Sequence, residues 1–152
     1  MVRYKFLGVK NKMKLNLLLE AEYADIIVSL IKKPYKVNSI TKLIFLSFGV
    51  KHASIKKYSN RKMNFIKVFL SSLSIKLTSH PEDLKAILKV ISILEMGGWI
   101  TVDNDNIKIM KLPPNGGNNP FLRKLEDKKT NFLVDISKLE NKSFLEEVLQ
   151  YV

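Results

Sequence analysis

The run from Ser79 to Met110, SHPEDLKAILKVISILEMGGWITVDNDNIKIM, changes its hydrophobic period part way along and so decides the fold. Up to Met96 the apolar residues Leu84, Ile87, Leu88, Ile91 and Leu94 recur three and four apart, the spacing of one buried helix face. Beyond Gly97-Gly98, Ile100 and Val102 and then Ile107 and Ile109 alternate with polar neighbours, the spacing of a half-buried strand. The DNDN between these pairs supplies residues that tolerate positive φ, so this half predicts a β-hairpin. The helix has its own boundary signals. Ser79 reads as the N-cap, Pro81 as a first-turn residue and Glu82 as the partner of a capping box. The two glycines offer a left-handed exit, and Trp99 just after them is placed to close the core.

Upstream, residues 3–10 read as a short strand or an arm. Asn16 is expected to cap a helix running to about Lys33, with Leu19, Tyr23, Ile26, Ile27, Leu30 and Ile31 facing inward and Pro34 as the stop. Glu20, Glu22 and Asp25 would then fall in its first turns, where acids complement the helix dipole. Asn38 or Ser39 is expected to cap a second helix, apolar on most sides, that Gly49 ends. A third helix is expected over Asn64 to Leu77. Downstream, KLPPNGGNNP is an irregular connector, Phe121 to Lys128 reads as helical, and Ser143 to Glu146 reads as a capping box opening a last short helix. The fold class is therefore α+β and mainly helical: winged-helix-like helices followed by a β-hairpin, with a short helical C-terminal tail. The implied organisation is a core over residues 1–112, a linker over 113–120, and a segment over 121–152 that packs on the core or on a partner.

The chain of 152 residues is 46% hydrophobic and 26% charged, a globular composition with material for a core. Its net charge of +12 is one-sided. Residues 1–76 hold sixteen Lys and Arg against three acids, and no Asp or Glu occurs between Asp25 and Glu82. The densest stretch, GVKHASIKKYSNRKMNFIK (49–67), offers Lys51, Lys56, Lys57, Arg61, Lys62 and Lys67, with Tyr58 placed to stack on a base or sugar. Such a field attracts nucleic acid, anionic lipid or an acidic protein, and does not choose among them. A solvated lysine-rich face is the plainer reading of the same residues.

Catalytic chemistry finds no footing. Cysteine is absent, which removes disulfides, thiol nucleophiles and thiolate metal sites. The two histidines, His52 and His80, are not at helical spacing; His80 reads as a first-turn surface residue and His52 as an addition to the basic patch. Asp103 and Asp105 sit in the hairpin turn for conformational reasons, and Glu146 and Glu147 in the first turn of the last helix. NGGNN lacks the lysine and helix of a phosphate-binding loop. No enzyme, cofactor, metal or small-molecule substrate is expected. The start of the chain, interrupted by Glu20 and Glu22, reads as mature sequence, and LIFLSFGV is too short to cross a bilayer, so no membrane role and a cytoplasmic location are expected.

Several segments in order carry a family likeness: NLLLEAEYADIIVSLI (16–31), SITKLIFLSFGV (39–50), the basic turn, the Ser79–Met110 run, a linker, and NFLVDISKLENKSFLEEVLQYV (131–152). Together they resemble the middle component of bacterial three-component ABC systems, the small accessory subunit of Lamassu-type defence complexes. Leu17 stands where members often carry proline after the early asparagine, and the chain ends in LQYV rather than a Leu-Gly-Val-like run. The resemblance implies a non-catalytic adaptor. Its partners would be an SMC- or Rad50-like ABC ATPase that senses foreign DNA and an effector nuclease, with double-stranded DNA near the basic turn. A final pair of short helices is implied as well. A free-standing winged-helix DNA-binding regulator is the alternative, although Lys85, Lys89, Ser92 and Glu95 are few outward residues for reading bases. A small RNA-associated protein fits the charge and fits the long apolar helices less well.

Overall fold

The computed structural model describes residues 2–52, 73–111, 120–123 and 127–149. Helix α1 spans Val2–Ile31, α2 Ile40–His52, α3 Leu73–Thr78 and α4 Pro81–Met96. Strands β1 (Ile100–Asp103) and β2 (Asn106–Ile109) form the hairpin, and α5 (Pro120–Arg123), α6 (Asp127–Ser137) and α7 (Asn141–Leu149) close the chain. The architecture is mainly helical α+β, with a two-stranded antiparallel sheet following the main helices directly.

Helix α1 begins well before Asn16, so neither an N-terminal strand nor an asparagine cap forms. The segment before Asn16 ends in Lys10, Lys12, Met13, Lys14 and Leu15 and has no proline, and these good helix formers outweigh the few tenths that an interior asparagine costs. The three acids consequently lie in mid-helix, where Glu20 pairs with Lys89 of α4 at 3.0 Å and Glu22 with Lys51 of α2 at 2.7 Å. Tyr23, Ile26, Ile27, Leu30 and Ile31 are wholly buried, and α1 packs along α4 and across α2. Each such aliphatic side chain contributes about 1.5–3 kcal/mol.

Helix α2 runs through Gly49, which is buried, and ends at His52. The core-facing sequence around Gly49 carries the helix past it, and Lys51 thereby becomes helical. Of the expected third helix, the part before Leu73 lies outside the described residues. Helix α4 opens one residue later than the sequence predicts. His80 is the N-cap, makes no side-chain cap bond, and Pro81 takes the first helical position. Proline's fixed φ and missing N–H suit that slot, which leaves Ser79 outside the helix. At the other end Gly98 alone is left-handed, at φ +75°. The Trp99 N–H donates to Leu94 O at 3.0 Å and the Gly98 N–H to Glu95 O at 3.1 Å, a Schellman closure. Gly97 has a different reason: a Cβ there would meet Trp99 Cδ1 at 2.9 Å, so glycine lets the indole fold back onto the core.

The hairpin pairs Ile100 with Ile109 and Val102 with Ile107, placing the alternating apolar residues on one face. Asn104 adopts the left-handed conformation at φ +55°. Asp105 does more than turn the chain. Its Oδ1 accepts the Thr41 N–H at 2.9 Å and the Thr41 hydroxyl at 2.7 Å, and its Oδ2 accepts the Ser39 hydroxyl at 2.5 Å. The hairpin thus caps α2 from across the fold. Backbone bonds from Ile40 N–H to Asp105 O and from Ile107 N–H to Asn38 O, 2.9 and 2.8 Å, complete the clip. Burial pushes the Asp105 carboxyl up, but the Ser39 and Thr41 bonds and the Lys42 charge hold it below the usual range.

The C-terminal helices pack on the protein's own core. Phe144 is completely buried, with its ring 6.3 Å from Phe45. Of the helix expected over Phe121 to Lys128, α5 covers the start, residues 124–126 lie outside the described residues, and α6 takes up at Asp127 and runs to Ser137, with Phe132, Leu133 and Ile136 buried. Helix α7 starts at Asn141, so Ser143, Glu146 and Glu147 lie within it and the expected capping box does not form. The buried Lys42 ammonium ties this end down by donating to Leu139 O and, at 3.4 Å, to Ser137 O. Those carbonyls close the end of α6, where a cation is favoured. Burial moves the Lys42 ammonium below its ordinary value. The connector expected over 113–120 lies almost entirely outside the described residues.

If Asp105 fastens the hairpin to α2, Asp105→Ala should cost about 1–3 kcal/mol in urea unfolding. Asp103→Ala, one turn residue away and exposed, should stay within about 0.5 kcal/mol. Equal effects of the two substitutions would contradict this role for Asp105.

Candidate docking surface

Of the basic residues singled out by the sequence, Lys51 is described and Lys56, Lys57, Tyr58, Arg61, Lys62 and Lys67 lie outside the described residues. Lys51 is not an open cation. Its side chain is 15% exposed, paired with Glu22 and set 5.1 Å from the Tyr23 ring centre. It belongs to the packing of α1 against α2.

The two histidines meet, although they stand 28 residues apart in sequence. Their ring centres lie 4.8 Å apart, with Phe48 at 4.6 Å from His52 and 5.7 Å from His80. His80 Nδ1 donates to Lys76 O at 2.7 Å, because a carbonyl can only accept. His52 Nε2 lies 2.6 Å from Asp83 Oδ2, and the Tyr23 hydroxyl donates to the same oxygen at 2.6 Å. Asp83 is buried, and this tie joins α1, α2 and α4. Burial pushes its carboxyl up, yet the Tyr23 and His52 bonds and the His52 and Lys51 charges leave it below the usual range. The Tyr23 hydroxyl is driven far above its ordinary value by burial first, then by its bond to Asp83. A carboxylate answered from two sides is a structural tie, since removing either partner would leave charge buried. Among the described residues no group of three or more His, Asp or Glu could hold a metal ion.

A second feature is open. A groove of about 710 Å³ runs between the α1–α2 connection and β2. Its apolar lining is Ile31, Val37, Ile107 and Ile109, and its charged lining is Lys32, Lys33, Lys36 and Lys108. No acid lines it. Lys33, Lys36 and Lys108 are exposed and form no ion pair among the described residues. Two local causes build the groove. The chain turns after Ile31 through the cis Lys33–Pro34 peptide and a left-handed Lys36, φ +48°, while Val37 N–H returns to Leu30 O at 2.9 Å. The Asp105 clip then holds β2 against Asn38 and Ser39. The sequence carried a signal for this site, KKPYK (32–36), three lysines at a helix break inside the acid gap. Larger apolar side chains also stand exposed on α4, namely Leu88, Ile93 and Met96.

Comparison of the chain with protein-family models, with characterised proteins and with solved structures finds no match in any of the three. Among the described residues no helix is long and apolar enough to cross a membrane.

The Asp83 tie has a pH signature. Its folded value lies below the ordinary 3.8, so the unfolded chain takes up the proton first as pH falls. The contribution to stability is complete above that unfolded value and lost as pH drops through the folded one. Asp83→Asn should therefore lower the urea midpoint near about pH 7 and lose less further stability than wild type below about pH 4. Parallel curves for the two proteins would contradict the assignment.

Proposed function

We propose that this chain is a non-catalytic adaptor subunit of a DNA-sensing complex built on an SMC- or Rad50-like ABC ATPase in bacterial defence against phage or plasmids. In this reading it bridges the ATPase and an effector nuclease, and its basic turn contacts double-stranded DNA. The observation that carries the docking role is the lysine-lined apolar groove, a surface with charge and apolar area but no reacting group. The polar network around Asp83 supports the same reading, because its side chains are engaged with one another across three helices. The assignment to an ATPase complex is supported by the order of hydrophobic segments along the chain and the resemblance they carry.

The regulator reading draws on the hairpin that follows α4. Two features weigh against it. On α4, Lys89 pairs with Glu20, and Leu88, Ile93 and Met96 occupy much of the outward side. The hairpin turn is held to α2 by Asp105, so it is not extended as a wing toward a DNA backbone.

Two measurements test the proposal. Affinity purification of the chain from its native host should recover a large ABC ATPase. Recovery of a homodimer that protects one defined operator would favour the regulator instead. Replacing Lys56, Lys57, Arg61 and Lys62 by glutamate should weaken DNA binding by the purified complex and flatten its salt dependence by roughly three to four units of log–log slope. Unchanged affinity and slope would remove DNA from the role of the basic turn.

A further inference from the structure

We propose that the groove beside β2 receives an extended, acidic segment of a partner chain, which adds to the sheet as a strand. The inference rests on the docking-subunit reading and specifies the chemistry of one contact. Three observations meet at this place. The first is the state of the strand edge. Ile107 N–H points outward to Asn38 O, so strand alternation aims the N–H and C=O of Ile109 the same way. The chain at Asn38–Ile40 occupies this edge opposite Asp105–Ile107 and then leaves it, turned aside by the left-handed Lys36. Among the described residues the backbone of Ile109 has no partner on that side.

The second observation is the apolar lining at the same edge, where Ile109 is 36% exposed. A strand laid along β2 would place alternate side chains onto this floor and the others outward. The third is charge. Lys33, Lys36 and Lys108 converge on the groove with no acid among its lining residues. Carboxylates on the outward positions of a docked strand would answer these lysines, whereas a basic strand would be repelled. Strand addition also uses the edge that two-stranded sheets otherwise leave open.

The test uses the full chain and a short synthetic peptide in which valine alternates with glutamate. The peptide should bind, bind more weakly as salt is raised, and slow hydrogen exchange at the Ile109 amide. The triple substitution Lys33→Glu, Lys36→Glu, Lys108→Glu should weaken binding about tenfold or more. Far-UV circular dichroism checks that this variant is folded. The same peptide N-methylated at the alternate residues whose N–H groups would face β2 leaves the protein untouched and removes those donors; it should lose binding by a similar factor.

Several results overturn the inference. A valine–lysine peptide that binds as well, or an N-methylated peptide that binds undiminished, does so. So does wild-type binding by the triple variant. Failure of the acidic peptide to bind, with a DNA duplex, a fatty-acid anion or a second copy of the chain taking the groove instead, does so too. The adaptor reading fails separately. If wild type and triple variant both recover the ATPase from the host, the adaptor reading stands and the groove assignment falls. If wild type recovers no ATPase while the acidic peptide still binds as described, the reverse holds.

Discussion

One carboxylate fixes the arrangement on which the rest depends. Asp105, at the tip of the hairpin, accepts three hydrogen bonds at the N-terminus of α2. A helix start carries unpaired amide donors and a partial positive charge, and a side chain usually answers them from within a residue or two. Here the answer comes from 64 residues away. The consequence is geometric. The hairpin cannot swing without uncapping α2, so β2 is held against the α1–α2 connection, and the groove between them is preformed. Preformed sites bind without the cost of ordering their own walls.

Two other buried polar groups, Asp83 and Lys42, follow the same logic. Asp83 is shared by Tyr23 and His52, and Lys42 is spent on the carbonyls that end α6. Each ties elements distant in sequence: α1 to α4, α2 to α4, and α2 to the C-terminal helices. Polar residues thereby set how the helices are arranged, while the aliphatic stripes supply most of the stabilisation. Among the described residues the surface carries a cationic groove and exposed apolar residues, among them Leu88, Ile93 and Met96 on α4.

The sequence made the class of fold legible and misplaced several boundaries, for physical reasons that differ by element. The hairpin was readable because strand alternation and DNDN agree, and α4 because its stripe is uninterrupted. Its start slipped by one residue because Ser79 offered a capping pattern while Pro81 preferred the first helical slot. The start of α1 was hidden because a lone asparagine resembles a cap even in mid-helix. Gly49 resembled a stop for the same kind of reason, and packing overrode it. The candidate surface was less legible. Lysine density pointed to the stretch 49–67, whose one described lysine, Lys51, lies in α2 and is committed to Glu22. The Asp83 tie spans 60 residues to Tyr23 and 31 to His52, so no local pattern encodes it. One hint was present: Asp83 lies four residues before Ile87 and so falls on the buried stripe, where an acid demands a partner. Lys42 gives the same hint four residues before Leu46.

Native-state hydrogen exchange at the Ile40, Thr41 and Ile107 amides tests this account most directly. If the hairpin and α2 are one cooperative unit, these amides should exchange with the same opening free energy as the core amides of α1 around Ile27. They should lose protection together when Asp105 is changed to asparagine. Rapid exchange at Ile107 while the α2 and α1 amides stay protected would show a hairpin that opens by itself, and the preformed groove would have to be abandoned.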